Sequence, residues 1–306
     1  MTPTNSETFR IGIIGFGQVG QAMAGVLARS YAVTVFDLQI DKSREPALVK
    51  ECQVGVAASV AELTGAVDVV IFCLPTPAAS HAVAKQMVDS VHPGLLVMES
   101  STVTPQDIFE LDAVLAPHGA RVVDTAVIGG IHALKQGQAV FLVGAAEGEV
   151  ATVDAILRTL AAEIHHLKRQ GGGMRAKLVA NAVAHAVYVV LSEAIAVSAA
   201  QDIPMDIMYR LLNRESGLAR PLTHRIGERL FKGDFTGGMS TANARKDSKL
   251  FLELAHSLNV PVFATQAAHT VYDIAASEGM HADDYAIVAT LWEKWLGLDF
   301  KTGSAA

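Results

Sequence analysis

Seven short β-branched runs, Ile11–Ile14, Val33–Phe36, Val69–Leu74, Leu95–Glu99, Val122–Val127, Val140–Val143 and Ile164–Leu167, punctuate the first half of the chain. Stretches of helix length, many rich in alanine, separate most of them. Parallel strands cannot be joined by a tight turn and need a crossover, usually a helix. The alternation therefore predicts a mainly parallel sheet with helices on both faces. At Gly171-Gly172-Gly173 the strand rhythm stops. Helices are predicted beyond it over Met174 to about Gln201, Met205–Leu212, about Leu222–Leu230, Ala244–Leu258, Val262–Glu278 and Ala282–Leu296, with Pro204, Pro221 and Pro261 as punctuation.

One glycine cluster gives the first half a purpose. Gly15-Phe16-Gly17-Gln18-Val19-Gly20 follows the run Ile11–Ile14 and opens a helical stretch from Gln21. In a dinucleotide site the first glycine makes the tight turn, the second admits the pyrophosphate to the backbone, and the third lets helix and strand pack closely. The helix N-terminus offers N–H groups and a positive dipole end to the phosphates. Asp37 ends the next strand, where an acid can bind the ribose hydroxyls. Its charge would repel a 2′-phosphate, so NAD is expected; Lys42 and Arg44, close in sequence, leave NADP open. Two further strand ends belong to the same crevice by topology, Leu74-Pro75 and Ser101-Thr102, while Thr104 before Pro105 is a helix N-cap. The predicted fold class is α/β: a Rossmann-type doubly wound, mainly parallel sheet over residues 1–170, then an all-helical domain over 171–306 that starts with a long interdomain helix.

Composition narrows the partners. Hydrophobic residues make up 51% and charged residues 18% of the 306, with a formal charge of −7. Mean hydropathy is +0.33 and the pI is near 5.9. A nucleic-acid binder would normally carry a basic face, so none is expected. The two cysteines, Cys52 and Cys73, are too few for a disulfide framework and suit a reducing compartment. Cytoplasmic placement is the expectation, since the polar start lacks a signal-peptide pattern. The longest apolar run, Leu178 to Ser192, is interrupted by Asn181 and His185, and reads as a helix buried in the middle of the protein rather than a membrane span.

That helix carries Lys177 and Asn181 four residues apart, hence on one face. A lysine among Leu178, Val179, Val183, Val187 and Val190 must pair, snorkel to water or do chemistry. Sequence neighbours alone leave all three open.

Five motifs in order decide among them. The nucleotide fingerprint, Ser101-Thr102-Val103-Thr104-Pro105, Asp124-Thr125-Ala126-Val127-Ile128-Gly129-Gly130, the glycine-rich entry to Lys177 and Asn181, and Arg245-Lys246-Asp247 together resemble the β-hydroxyacid dehydrogenase family. The family includes 3-hydroxyisobutyrate dehydrogenase, tartronate semialdehyde reductase and related semialdehyde reductases, and the resemblance spans about Arg10 to Leu298. It implies an NAD(P)-dependent oxidoreductase acting between a small hydroxyacid and its carbonyl partner, with Lys177 as general acid and base and Asn181 beside it. It implies that Ser101 and Thr102 line the nicotinamide and substrate, and that Lys246 closes over the cofactor end. The family's substrate loop usually carries a serine where this chain has Ile128. The substrate carboxylate would then rest on the amides of Gly129 and Gly130 alone, or the substrate is larger or more apolar. An imine reductase of related fold and a non-catalytic nucleotide-binding scaffold are the alternatives; retention of a lysine at 177 speaks against both. His185 is expected to be a core or interface histidine, and His118, His165 and His166 show no acidic partners at ligand spacing, so no metal is expected. A homodimer or homotetramer is expected by analogy with the fold.

Overall fold

The computed structural model describes residues 9–40, 49, 51 and 54–301. Its first unit is built on one eight-stranded sheet, β1 (Arg10–Ile14), β2 (Ala32–Phe36), β3 (Gly55–Val56), β4 (Val69–Phe72), β5 (Leu96–Glu99), β6 (Arg121–Ile128), β7 (Ala139–Gly144) and β8 (Ala161–His166). The strand order is β3-β2-β1-β4-β5-β6-β7-β8. The chain winds outward from β1 in both directions, which places a topological switch between β1 and β4, and ligands bind outside the carboxyl ends at such a point. In register, Ile13 lies beside Val35 on one side and Ile71 on the other.

Every pairing is parallel except β6 with β7. The link between those two holds only the short helix α5 described below, too little chain for a crossover, so the pair turns back on itself. The seven strands expected from sequence are all present with small shifts of boundary. The eighth, β3, is two residues long and starts with glycine, too short to show any period.

Helices sort onto both faces, as the alternation predicts. On one face α1 (Gln18–Leu27), α5 (Gly130–Lys135) and α6 (Val150–Leu157) pack Met23, Leu27, Leu134 and Ile156 over Ile11, Ile13, Val35 and Phe141. On the other, α2 (Val60–Ala66), α3 (Pro77–Met87) and α4 (Pro105–Leu115) pack Leu63, Met87, Ile108 and Leu111 over Val70, Phe72 and Val97. Both faces of β4 and β5 are buried, which is why those runs read as continuously apolar. Thr104 caps α4 as expected, in a reciprocal box with Asp107.

The long helix α7 (Gly172–Ala200) crosses from the first compact unit, Met1–Ala182, into the second, Val183–Ala306. It is not buried within the chain as expected. Val179, Val183, Tyr188 and Val190 are exposed, Tyr188 to 73%. By length and composition α7 could cross a membrane, a test that the core helix of a soluble protein passes as well. The mismatch arises because periodicity reports an apolar helix without saying what covers it.

The second unit is helical: α8 (Met205–Leu212), α9 (Thr241–Ser257), α10 (Ala264–Ser277) and α11 (Thr290–Leu296). Two expectations change here. The helix expected over Leu222–Leu230 is wound as π-helix, in segments Glu215–Ala219 and Pro221–Arg229. Pro221 brings no N–H donor to their junction. The last helix, expected from Ala282, is a 3₁₀ segment Tyr285–Ala289 capped by the Asp284 carboxylate, followed by α11.

Candidate active site

The loop after β1 has the geometry that a dinucleotide needs. Gly15 holds φ +99, and a Cβ there would stand 2.3 Å from the Cys73 carbonyl oxygen. A Cβ on Gly20 would come within 1.9 Å of the Gly15 carbonyl oxygen, so the turn closes only with glycines at both positions. Gly17, by contrast, faces open space, the approach a pyrophosphate would use. It also begins α1 with no side-chain cap. The first helical bond runs from Gln21 N–H to Gly17 at 2.9 Å, leaving the N–H groups of Gln18, Val19 and Gly20 ahead of it. These features fit a dinucleotide.

A groove of about 580 Å³ runs along this loop, lined among others by Gly15, Gly17, Gln18, Val19, Asp37, Leu74 and Pro75. Phe16 and Gly20 are buried behind it. The Phe16 N–H donates to Asp37 Oδ2 at 2.7 Å, and Gln39 N–H donates to Asp37 Oδ1 at 2.7 Å. Asp37 thus presents a carboxylate with fixed orientation to the end of the groove. Lys42, Arg44 and Cys52 lie outside the described residues. Ile131, which sequence reasoning missed, lines the same groove from α5.

Lys177 is buried, at 6% exposure. It lies three residues past Met174, which is fully buried in the core layer with Phe72, Val97 and Ala126, so both share one face of α7. The start of the helix lies against the sheet, the Met174 N–H donating to Asp124 on β6. Burial pulls the Lys177 amine below its ordinary 10.5, while Glu99 pushes it back up. Among the described residues it makes no ion pair. Lys177 therefore neither snorkels to water nor sits in a contact salt bridge.

Two buried carboxylates build the surroundings. Asp124, in mid-β6, accepts from Gly171 N–H at 2.6 Å and Met174 N–H at 2.8 Å, clamping the start of α7. Glu99 ends β5 and accepts from Ser101 N–H at 2.7 Å. Ser101 is itself buried, its hydroxyl accepting from Leu74 N–H at 2.8 Å, so it braces the groove rather than standing free. Thr102 is exposed. From sequence Asp124 enters only as the first residue of a motif and Glu99 only as the end of a strand run, although a lone acid inside or ending an apolar strand run is a visible signal of a site role.

The remaining expected residues are placed as follows. Asn181 is half-buried one turn beyond Lys177. Ile128 is half-buried at the end of β6, where Gly129 (φ +107) and Gly130 (φ +72) turn the chain into α5. Lys246 belongs to the second unit and its ammonium lies 3.1 Å from Asp247. His185 is exposed rather than in a core. His165 and His166 do have acidic partners, Glu163 and Asp154, each at 3.0 Å. One group with metal-ligand character exists among the described residues, His81, Asp107 and Glu110, and Asp107 in it already serves the Thr104 cap.

Known proteins bear on this geometry. Residues 10–168 match the family profile for the NAD binding domain of 6-phosphogluconate dehydrogenase. Residues 171–292 match the one for the NAD-binding region of NADP-dependent 3-hydroxyisobutyrate dehydrogenase. The mitochondrial 3-hydroxyisobutyrate dehydrogenase of Drosophila melanogaster is 29% identical over 301 residues, covering 95% of this chain and 91% of that protein. The 2-(hydroxymethyl)glutarate dehydrogenase of Eubacterium barkeri is 24% identical, covering 97% and 99%. An imine reductase from Pseudomonas sp. superposes with a TM-score of 0.83 at 18% identity, covering 93% and 99% of the two chains, a likeness of fold.

Proposed function

The chain belongs to the β-hydroxyacid dehydrogenase family, and from that premise we propose that Lys177 moves the proton in the oxidation of a β-hydroxyacid or the reduction of a semialdehyde-type carbonyl. The protein is an NAD(P)-dependent oxidoreductase acting on CH–OH groups. The cofactor, when bound, supplies or accepts the hydride. The loop of Gly15 to Gly20 would hold its pyrophosphate, and Asp37 its ribose, favouring NAD.

The observation that carries the reading is Lys177 itself. A buried amine at the strand ends, with its pKa drawn down from 10.5, is better matched to proton exchange near neutral pH than a solvated lysine. In reduction its ammonium gives a proton to the carbonyl oxygen; in oxidation the neutral amine takes the hydroxyl proton. Asn181, on the same helical face, would hold the substrate oxygen or the amine in place. Ile128 adds apolar surface where the family usually offers a hydroxyl, which favours a substrate bulkier or less polar than the smallest hydroxyacids. Ser101 and Thr102 would flank the nicotinamide, and Lys246 would act from the helical domain. A cytoplasmic homodimer or homotetramer completes the proposal, supported by few cysteines and the exposed apolar side chains of α7.

The test is turnover of purified protein with NADH and NADPH against hydroxyacids, semialdehydes and cyclic imines, beside Lys177→Ala. Activity on a hydroxyacid or semialdehyde is expected, falling about 10²- to 10⁴-fold in the variant. Full activity in Lys177→Ala would remove the proton-transfer role, and turnover of cyclic imines alone would replace the substrate class.

A further inference from the structure

We propose that Glu99 is the buried counter-charge of Lys177, a positioning residue that keeps the amine protonated until a substrate oxygen takes the proton. The inference rests on the reading of Lys177 as proton donor and acceptor, and deepens it.

Placement comes first. Glu99 is the last residue of β5 and has no exposure. In register it stands between Phe72 on β4 and Asp124 on β6, at the middle of the sheet's carboxyl edge. Asp124, its register neighbour, accepts the Met174 N–H of α7, and Lys177 follows Met174 by three residues on that helix. Asp124 fastens that helix start, so the lysine's approach to the edge is fixed by backbone hydrogen bonds.

Hydrogen bonding leaves Glu99 half used. Oε1 takes the Ser101 N–H, while Oε2 is buried without a bond of full geometry, the Ser80 hydroxyl being a polar neighbour. A carboxylate this deep is costly unless an opposite charge is near. Burial pushes the Glu99 carboxyl up, and Ser101, Ser80 and Lys177 draw it back down. The influence is mutual, since Glu99 is the foremost group raising Lys177.

The other groups around the pair do not substitute for Glu99. Cys73, at the end of β4, is driven so far up by burial that it stays a neutral thiol. Asp124 on β6 spends its oxygens on the N–H groups of Gly171 and Met174. Ser80 on α3 and Ser101 after β5 are uncharged. When Lys177 releases its proton, Glu99 loses the opposite charge that draws its carboxyl down, so the pair favours taking a replacement proton from solvent.

A purely structural Glu99, one that only holds the Ser101 N–H, would behave alike as glutamate or glutamine. Glu99→Gln keeps an oxygen for that bond and removes the charge. Direct titration of Lys177 by NMR on ε-labelled lysine, assigned with Lys177→Arg, reads the amine without relying on turnover. Opposite charges at close range typically shift a pKa by about 1 to 3. The Lys177 titration is therefore expected to fall by about one pH unit or more in Glu99→Gln and to stay near wild type in Glu99→Asp. The alkaline limb of the reduction rate should move down with it. If Glu99→Gln proves unstable, the reciprocal measurement on labelled glutamate in Lys177→Met should show the Glu99 carboxyl rising. An unchanged Lys177 titration in Glu99→Gln, or an unchanged Glu99 titration in Lys177→Met, overturns the proposal. A shifted titration with an unmoved rate profile keeps the pairing and instead removes Lys177 from the chemistry.

Discussion

Asp124 occupies a position where a charge is expensive, fully buried in mid-strand, and both its oxygens accept backbone N–H groups from the turn that launches α7. A Cβ on Gly173 would stand 2.9 Å from one of those oxygens and 2.2 Å from the Leu142 carbonyl oxygen, so the glycines of this turn are there to let the helix start close in. The clamp joins residues 50 apart in sequence and aims the face that bears Lys177. In Asp124→Asn one N–H would meet an amide NH₂ instead of an acceptor. Urea unfolding should show a loss of about 2 kcal/mol, the cost of an unmet buried hydrogen bond to a charged acceptor. Unaltered stability would mean that the turn holds without the clamp. At this scale Lys177 was legible as an anomaly, a charge on an apolar helix. Its counter-charge was not, because nothing local links Glu99 to residue 177.

Elements show the same division between local signals and distant partners. Thr104-Pro105 announces the start of α4 in sequence, since cap and first turn are neighbours. Helix α10 starts at Ala264 after Phe263, which cannot cap it. The cap comes instead from Glu193 on α7. Its carboxylate accepts from the N–H groups of Phe263, Ala264 and Thr265 at 2.6, 2.8 and 3.0 Å, and from the Thr265 hydroxyl at 2.8 Å. Burial alone would push this carboxyl up, but the bonds at the helix N-terminus outweigh it and hold it below its ordinary 4.5. A depressed carboxyl stabilises the fold above its unfolded value, and that contribution is lost as pH falls through the folded value. Glu193→Gln should cost about 2 kcal/mol near neutral pH. The gap from wild type should narrow as unfolding is followed down past 4.5 toward acid. A gap that stays constant with pH would mean the charge contributes nothing.

On the scale of the whole molecule, the exposed apolar surface of α7 is the feature that one chain leaves unexplained. Val179 and Val183 are 67% and 59% exposed on a helix that elsewhere buries Lys177 and Glu193. Leu211 on α8 and Trp295 on α11 are exposed as well. Light scattering should return a mass that is a multiple of 32.3 kDa. Val183→Glu should shift it toward the single chain, since a charge on a buried contact is costly. A single-chain mass for the unaltered protein would leave the apolar face to another partner.

Alternation of strand and helix, the glycine fingerprint and the proline punctuation determined the doubly wound sheet, its nucleotide groove and the helical second half. Each is a short-range pattern, a period or a turn conformation that few residues can satisfy, and so it is written in neighbouring letters. Tertiary structure decided the rest: the two-residue strand β3, the π-wound segment around Pro221, the exposure of α7, and the burial of Glu99, Asp124 and Lys177 in the first unit. Those depend on which distant residues are brought together and on what is desolvated when they meet. Energies of that kind belong to pairs far apart in sequence, and a single linear pattern does not record them.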